Sequence, residues 1–234
     1  MDPKEQLKRD AAREALSRVT PGMRLGLGTG STMWHFVDLL GDALAEGTLS
    51  GISGVPTSER TRDQAAERGI PLLELHEGAP LDLAVDGADE VDPHLDLVKG
   101  LGGALLREKM VVQAARAFVV VADDSKEVSR LGTRAPLPIE VVPFGWESHI
   151  PALEALGARG VLRVSEAGDA VRTDNGNLLL DAHFEGGIED PFEVENRLRA
   201  RAGVVETGLF LDLADEVILA SDSGLVIRRR EGEA

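Results

Sequence analysis

Within VKGLGGALLREKMVVQAARAF, residues 98–118, one acid stands where packing alone would not put it. On a wheel of 3.6 residues per turn Ala104, Glu108, Val111, Ala115 and Phe118 share a stripe, with Leu105 and Val112 on its flanks. Burying an unpaired charge costs enough that an idle carboxylate belongs on the polar edge, with Lys109, Gln113 and Arg116. Two readings of Glu108 stand. It is held in a buried salt bridge, or it works as a general base, desolvation raising its pKa toward neutrality while Lys99 pulls it back. Leu106, Met110, Ala114 and Ala117 make much of the remaining surface apolar, which predicts a helix packed on two sides.

Three more constellations carry chemistry. In LGLGTGSTMWHF, Gly26, Gly28 and Gly30 free the backbone for a turn, and Ser31 and Thr32 set hydroxyls where a following helix points its first amides. Phosphate suits such a turn, and so does an ordinary strand-to-helix connection. The dinucleotide pattern GxGxxG fails at Ser31, and the P-loop fails because Gly30 stands where lysine is needed. In LAVDGADEVD, Asp86, Gly87, Ala88 and Asp89 follow an apolar run, at the strand end where open α/β sheets bind ligands. Two carboxylates three apart suit proton transfer between neighbouring hydroxyls or a divalent metal; an acidic solvated turn fits equally, and fits Glu90 and Asp92 best. An EF-hand is excluded, because its sixth and twelfth positions would be Leu97 and Gly103. Finally, Lys99 precedes Gly100, Leu101 and Gly102, so its cation beside loop amides could hold an oxyanion; a solvated lysine is the plain alternative. Lys126, after FVVVADDS, is either a second such cation or a helix-start lysine.

The elements that must position these groups are legible as a pattern. MDPKEQLKRDAAREAL reads as a charged amphipathic helix. Apolar runs MRLGLGTG, GISGVPTS, PLLEL, LDLAVDGAD, DLVKG and FVVVADDS then read as strands, and they alternate with helical patterns near residues 33–45, 59–68 and 103–117. That alternation predicts a Rossmann-like, doubly wound, mostly parallel sheet of class α/β. From about Leu137 the order becomes β-α-β-β-α-β: LPIEVVPF, a helix ending ALEALG, GVLRV, a hairpin about Asn175-Gly176, the helix DPFEVENRLRAR capped by Asp190, and GVVETGLFL. This is the ferredoxin-like order of an inserted, smaller α+β domain. DEVILAS and GLVIRRR are expected to return to the first sheet, so the α/β catalytic domain is expected at 1–130 with 207–234 and the small domain at 131–206.

Composition narrows the partners. Forty-one acids against 25 bases give a formal charge of −16, and aromatics are 3%, so neither a phosphate-backbone grip nor base stacking is served, and no nucleic-acid partner is expected. There is no cysteine, hence no disulfide, thiolate metal site or cysteine nucleophile. His35, His76, His94, His149 and His183 have no ligand spacing, and no GxSxG elbow occurs. No apolar run approaches the roughly 18 residues of a membrane span, and the N-terminus lacks a signal-peptide core, so the expectation is a cytoplasmic protein with no membrane partner. Trp34, Trp146, Phe36 and Phe118 are expected in the core or an interface.

A phosphate turn, an aspartate pair, a lysine and an inward glutamate together suit proton abstraction beside the carbonyl of a small phosphorylated, hydroxyl-rich substrate, without a cofactor. In order along the chain, GLGTGST, DGADEVD, KGLGGALLREK, ADDSK, PLPIEVVPF and TDNGN resemble the successive motifs of the ribose-5-phosphate isomerase family, type A. The resemblance implies interconversion of ribose 5-phosphate and ribulose 5-phosphate in the pentose phosphate pathway and the Calvin cycle, without metal, by a homodimer or larger homo-oligomer. Carried over by motif, Glu108 resembles the base that moves a proton between C1 and C2. Asp86 would assist ring opening or shuttle the hydroxyl proton, and Lys99 with the loop amides would stabilise the enediolate. Thr29, Gly30, Ser31, Thr32, the run from Asp86 through Gly87 and Ala88 to Asp89, the run from Lys99 through Gly100 and Leu101 to Gly102, and Lys126 resemble the substrate contacts. Where the family commonly reads KGGG, this chain has Leu101, which disfavours positive φ and is expected to alter the loop. A sugar-phosphate sensor without turnover is the alternative, and an acyl- or CoA-transferase-like enzyme with a glutamate nucleophile a more distant one.

Overall fold

The computed structural model describes residues 2–230. In chain order its helices and strands are α1 (Pro3–Leu16), β1 (Arg24–Leu27), α2 (Ser31–Ala45), β2 (Ser53–Pro56), α3 (Glu59–Glu67), α4 (Leu75–Gly78), β3 (Leu83–Asp86), β4 (Glu90–Val91), β5 (Leu97–Val98), α5 (Leu105–Gln113), β6 (Phe118–Asp123), β7 (Leu137–Val141), α6 (Ile150–Glu154), β8 (Ala158–Leu162), β9 (Leu178–Phe184), α7 (Pro191–Arg199), β10 (Val204–Thr207), β11 (Leu209–Phe210), β12 (Glu216–Ser221) and β13 (Gly224–Arg229). The chain divides into two compact units: one takes residues up to Ala88, Arg107–Lys126 and the chain from Leu213, the other Asp89–Leu106 and Glu127–Asp212. The sequence reading placed residues 89–106 with the larger sheet. The structure draws them to the smaller unit because β4 pairs with β5 and β5 with β11.

The first unit is a six-stranded sheet in the order β13-β12-β6-β3-β1-β2, parallel except for the antiparallel edge strand β13. Its inner strands β3, β6 and β12 are short, rich in Val, Leu and Ile, and buried on both faces, as strands between helix layers must be, whereas the edge strand β13 is largely exposed. Leu25, Leu27, Phe36, Leu40, Val85, Val121 and Ile218 build the core. α1 joins it through Ala11, Ala12 and Ala15, and its start is fixed by Asp2, which caps Lys4 N, and by Pro3 at the first position. The chain reverses direction between β1 and β3, the crevice where open sheets of this order bind ligands.

The second unit holds an antiparallel sheet in the order β10-β7-β9-β8, with α6 and α7 as its helices. That is the β-α-β-β-α-β pattern in its ferredoxin-like strand order. Leu137, Ile139, Val141, Leu178, Leu180 and Ala182 point to one side, into a core shared with Leu153, Val194 and Leu198. β12 and β13 rejoin the first sheet, as expected.

Three readings need correction. PLLEL was expected as a strand; only Leu72 bridges, to Gly54, and the chain then enters the short helix α4. The helix expected over 103–117 stops at Gln113, because Ala115 bridges to Leu81 and Phe118 opens β6, so the last two members of the stripe belong to other structure. The tight turn at Asn175-Gly176 exists, with Gly176 N–H donating to Thr173 O at 2.8 Å, but only Gly176 has positive φ, so it is a longer loop than the two-residue turn expected.

Candidate active site

In the first unit the site is built around one close approach. β1 ends at Leu27, and the next residue, Gly28, donates its N–H to Val85 O of β3. A Cβ at position 28 would lie 2.2 Å from Asp86 Cγ, so glycine is what lets that carboxylate in. Asp86, 1% exposed, accepts from Thr29 N at 3.1 Å and Gly87 N at 2.7 Å on Oδ1. Thr29 Oγ1 in turn sits 2.8 Å from Thr57 Oγ1, 2.8 Å from Ser58 Oγ and 3.1 Å from Thr61 Oγ1, while Thr61 Oγ1 donates to Gly28 O. Sequence reasoning missed Thr57, Ser58 and Thr61. The signal was there: PTSERT follows a strand just as GTGST does, and Ser58 caps α3. Gly30, at φ +136°, starts α2, and Ser31 and Thr32 form that helix's first turn. No side chain caps the amides there, so they are open to an anion. Lys126 is half-buried, in the single turn that follows β6. Thr29, Asp86 and Lys126 thus stand at the carboxyl ends of β1, β3 and β6, strands that lie parallel and share one edge.

Glu108 reaches the same edge from a helix. A Cβ on Gly26 would come 2.5 Å from Val111 Cγ1, so α5 lies directly on β1 at that point. α5 leads into β6, which runs parallel to its neighbours, so the helix runs against the strands and its first turn lies toward their carboxyl ends. Glu108 is three residues before Val111, on the same face and one turn nearer that edge, and it is 3% exposed. Its neighbour Arg107 donates to Glu59 Oε1 at 2.6 Å, which ties α5 to the start of α3 and holds the Glu59 carboxyl below its ordinary range. Two expectations about this helix fail. Lys109 is not on a polar edge but 3% exposed, and Met110, 48% exposed, shows that the second face is not packed.

In the second unit Asp89 and Lys99 frame a loop. Lys99 N donates to Gly208 O at 2.8 Å, its Nζ lies 5.4 Å from the Phe210 ring centroid, and the residue is 3% exposed, which no solvated lysine would be. Gly208 is glycine because a Cβ there would meet Lys99 O at 2.2 Å. Asp89 Oδ2 accepts from Leu101 N at 2.9 Å. Positive φ falls on Gly100 and Gly103, not on residue 101, so Leu101 fits without strain and turns its side chain outward, 42% exposed. Glu90 and Asp92, expected as solvated acids, are buried instead. Glu90, fully buried, accepts from the backbone N–H groups of Gly132, Arg134 and Ala135, and Asp92 Oδ1 accepts from His94 N and Asp96 N. In DGADEVD the first two acids are therefore candidates for chemistry and the last two are structural.

Among the described residues no group of three or more His, Asp or Glu side chains could hold a metal ion, and no helix is long and apolar enough to cross a membrane. Phe36 and Phe118 are core residues, whereas Trp34 is 40% exposed beneath Arg60, whose guanidinium carbon lies 5.6 Å from its ring centroid.

This arrangement is similar to known proteins. A family model described as ribose 5-phosphate isomerase A (phosphoriboisomerase A) matches residues 53–224. Ribose-5-phosphate isomerase A of Gluconobacter oxydans is 50% identical over 220 residues, which cover 93% of this chain and 94% of that protein. Probable ribose-5-phosphate isomerase 2 of Arabidopsis thaliana is 48% identical over 97% of this chain and 87% of its own. Among solved structures, a D-ribose-5-phosphate isomerase in complex with phospho-erythronic acid superposes with a TM-score of 0.93 at 43% identity, covering 97% of this chain and 99% of that one. Ribose 5-phosphate isomerase from Plasmodium falciparum gives 0.94 at 32% identity, covering 97% and 100%.

Proposed function

The chain belongs to the ribose 5-phosphate isomerase A family and is an isomerase that interconverts ribose 5-phosphate and ribulose 5-phosphate; on that premise we propose that Glu108 is the base that carries the proton. The open-chain aldose binds with its phosphate at the turn of residues 29–32, against the first amides of α2, with Lys126 as a further contact. Asp86 assists ring opening and relays the proton between the O1 and O2 hydroxyls. The Glu108 carboxylate removes the proton from C2, the electron pair moves into the C1–C2 bond, and negative charge develops on O1. Lys99 with the loop amides that follow it stabilises that enediolate. Return of the proton to C1 and loss of the O2 proton gives the ketose. Gly87, Ala88 and Asp89 complete the substrate contacts.

The observation that supports this most is that Asp86 and Glu108, two almost fully buried carboxylates, stand at the edge where β1, β3 and β6 end. Water is scarce there, which suits a carboxylate asked to act as a base. The test is Glu108→Gln: we expect a loss on the order of 10²-fold or more in kcat for ketose formation, with binding of ribose 5-phosphate largely kept. Near-normal kcat in that variant would remove Glu108 from the mechanism. Incorporation of solvent deuterium at C1 or C2 during turnover separates the enediolate route from a direct hydride shift. Two finer expectations belong to the same proposal, a homodimer or larger homo-oligomer and a cytoplasmic location; analytical ultracentrifugation and cell fractionation check them. A sensor without turnover finds no support beside relatives named as isomerases over nearly the whole chain.

A further inference from the structure

The loop of residues 99–103 is held by a side chain that its own sequence does not contain. Arg163, one residue beyond β8, donates from Nε (2.9 Å) and Nη2 to the two carboxylate oxygens of Asp181 on β9. Its remaining terminal nitrogen, Nη1, donates to Leu101 O at 2.9 Å and Gly100 O at 3.2 Å. The two side chains are 15% and 17% exposed, so the pair is sheltered from water. The backbone of Arg163 is fixed as well: its N–H donates to Leu179 O and its carbonyl accepts from Val171 N.

Within the loop the backbone supplies one bond, Gly103 N–H to Gly100 O at 3.0 Å, and with Gly100 and Gly103 at positive φ it has little further stiffness of its own. In a trans peptide the N–H points opposite to the C=O. Fixing Gly100 O on the guanidinium therefore turns Leu101 N–H the other way, where it meets Asp89 Oδ2. Fixing Leu101 O likewise turns Gly102 N–H away from Arg163. One planar fork sets two consecutive amide directions, those of Leu101 and Gly102. A lysine could not do this, because it has no fixed fork to satisfy a carboxylate and two carbonyls together. A salt bridge needed only to join β8 to β9 would have no use for the two bonds to the loop.

We propose that Arg163, braced by Asp181, is a positioning residue for the isomerisation: by holding the carbonyls of Gly100 and Leu101 it keeps the Leu101 N–H on Asp89 and sets the Gly102 N–H in the orientation that meets the enediolate. This rests on the reading that this loop and Lys99 stabilise that charge. In the full-length enzyme Arg163→Ala should lower kcat about 10- to 100-fold, the scale of a small misplacement of catalytic groups, with KM changed less than about threefold because the phosphate turn is untouched. Added guanidinium ion should restore part of the lost kcat. Arg163→Lys, which keeps the charge and the partner, should still lose about fivefold or more and show faster amide hydrogen exchange at residues 100–103. Wild-type kcat in Arg163→Lys overturns the proposal. So does a loss in Arg163→Ala that the unfolded fraction fully accounts for and guanidinium does not relieve. If Glu108→Gln is inactive while the Arg163 variants turn over normally, only this inference fails; if Glu108→Gln is active, the reading beneath it fails.

Discussion

At position 28 the chemistry of the site reduces to the absence of one carbon. The Asp86 carboxylate occupies the space a side chain would need, 2.2 Å from any Cβ, and there takes its two backbone hydrogen bonds from Thr29 and Gly87. Gly28→Ala must push Asp86 aside, and a displacement near 1 Å at a reacting group costs about 10²-fold in rate. The expected outcome is a fall of about that size in kcat together with a drop of roughly 2–10 °C in melting temperature, because the same Cβ would lie 2.6 Å from Asp86 Cα. Both are read by a ketose-formation assay on the folded fraction beside thermal unfolding. Unchanged turnover would show that Asp86 has no part in the chemistry. The sequence could raise this question without answering it. Glycine in a turn signals an unusual dihedral or a close approach, and only coordinates say that the approach is by an acid 58 residues further on in the chain.

Between elements, the acid that the pattern misjudged has the clearest consequence. Glu90 of β4 gathers three backbone N–H groups of the segment 132–135, so β4 and the entry to β7 are joined through one carboxylate. Glu90→Ala leaves three donors without their acceptor, those of Gly132 and Ala135 buried, at roughly 2–5 kcal/mol in all. For a chain of this size the melting temperature should drop by about 5–15 °C, measured by calorimetry. An unshifted transition would mean that water replaces the carboxylate. Long periodic segments were legible: α1, α2, α3 and the β-α-β-β-α-β run follow from spacing and capping alone. Glu90 was not, because an acid in an Asp-rich run looks solvated until a distant loop supplies its donors. α5 was overrun by four residues for a related reason, since Ala114 to Ala117 continue the helical period although pairing with Leu81 pulls them out of it. For the site, turn glycines and strand-end acids marked Thr29, Asp86 and Lys99, while the hydroxyls of Thr57, Ser58 and Thr61 went unread because no glycine flagged their turn.

Over the whole molecule, the order of the strands in the sheet and their order in the chain disagree. β6 lies between β3 and β12, yet β12 arrives only after the entire ferredoxin-like segment, and the contact of Phe118 N with Asp215 Oδ2 spans 97 residues. The pairs of β7, β8 and β9 close much shorter loops, which cost less entropy to form. In refolding followed by pulse-labelled hydrogen exchange, amides of β7 to β9 should therefore gain protection before those of β12. Simultaneous protection would mean that the long loop closes first or that both sheets form in one step. Synthesis on the ribosome imposes the same sequence of events. The apolar flank of β6 emerges before the ferredoxin-like segment and waits, uncovered, until β12 has followed that whole segment out of the ribosome. That interval is when such a polypeptide is most exposed to capture by chaperones or by its own siblings.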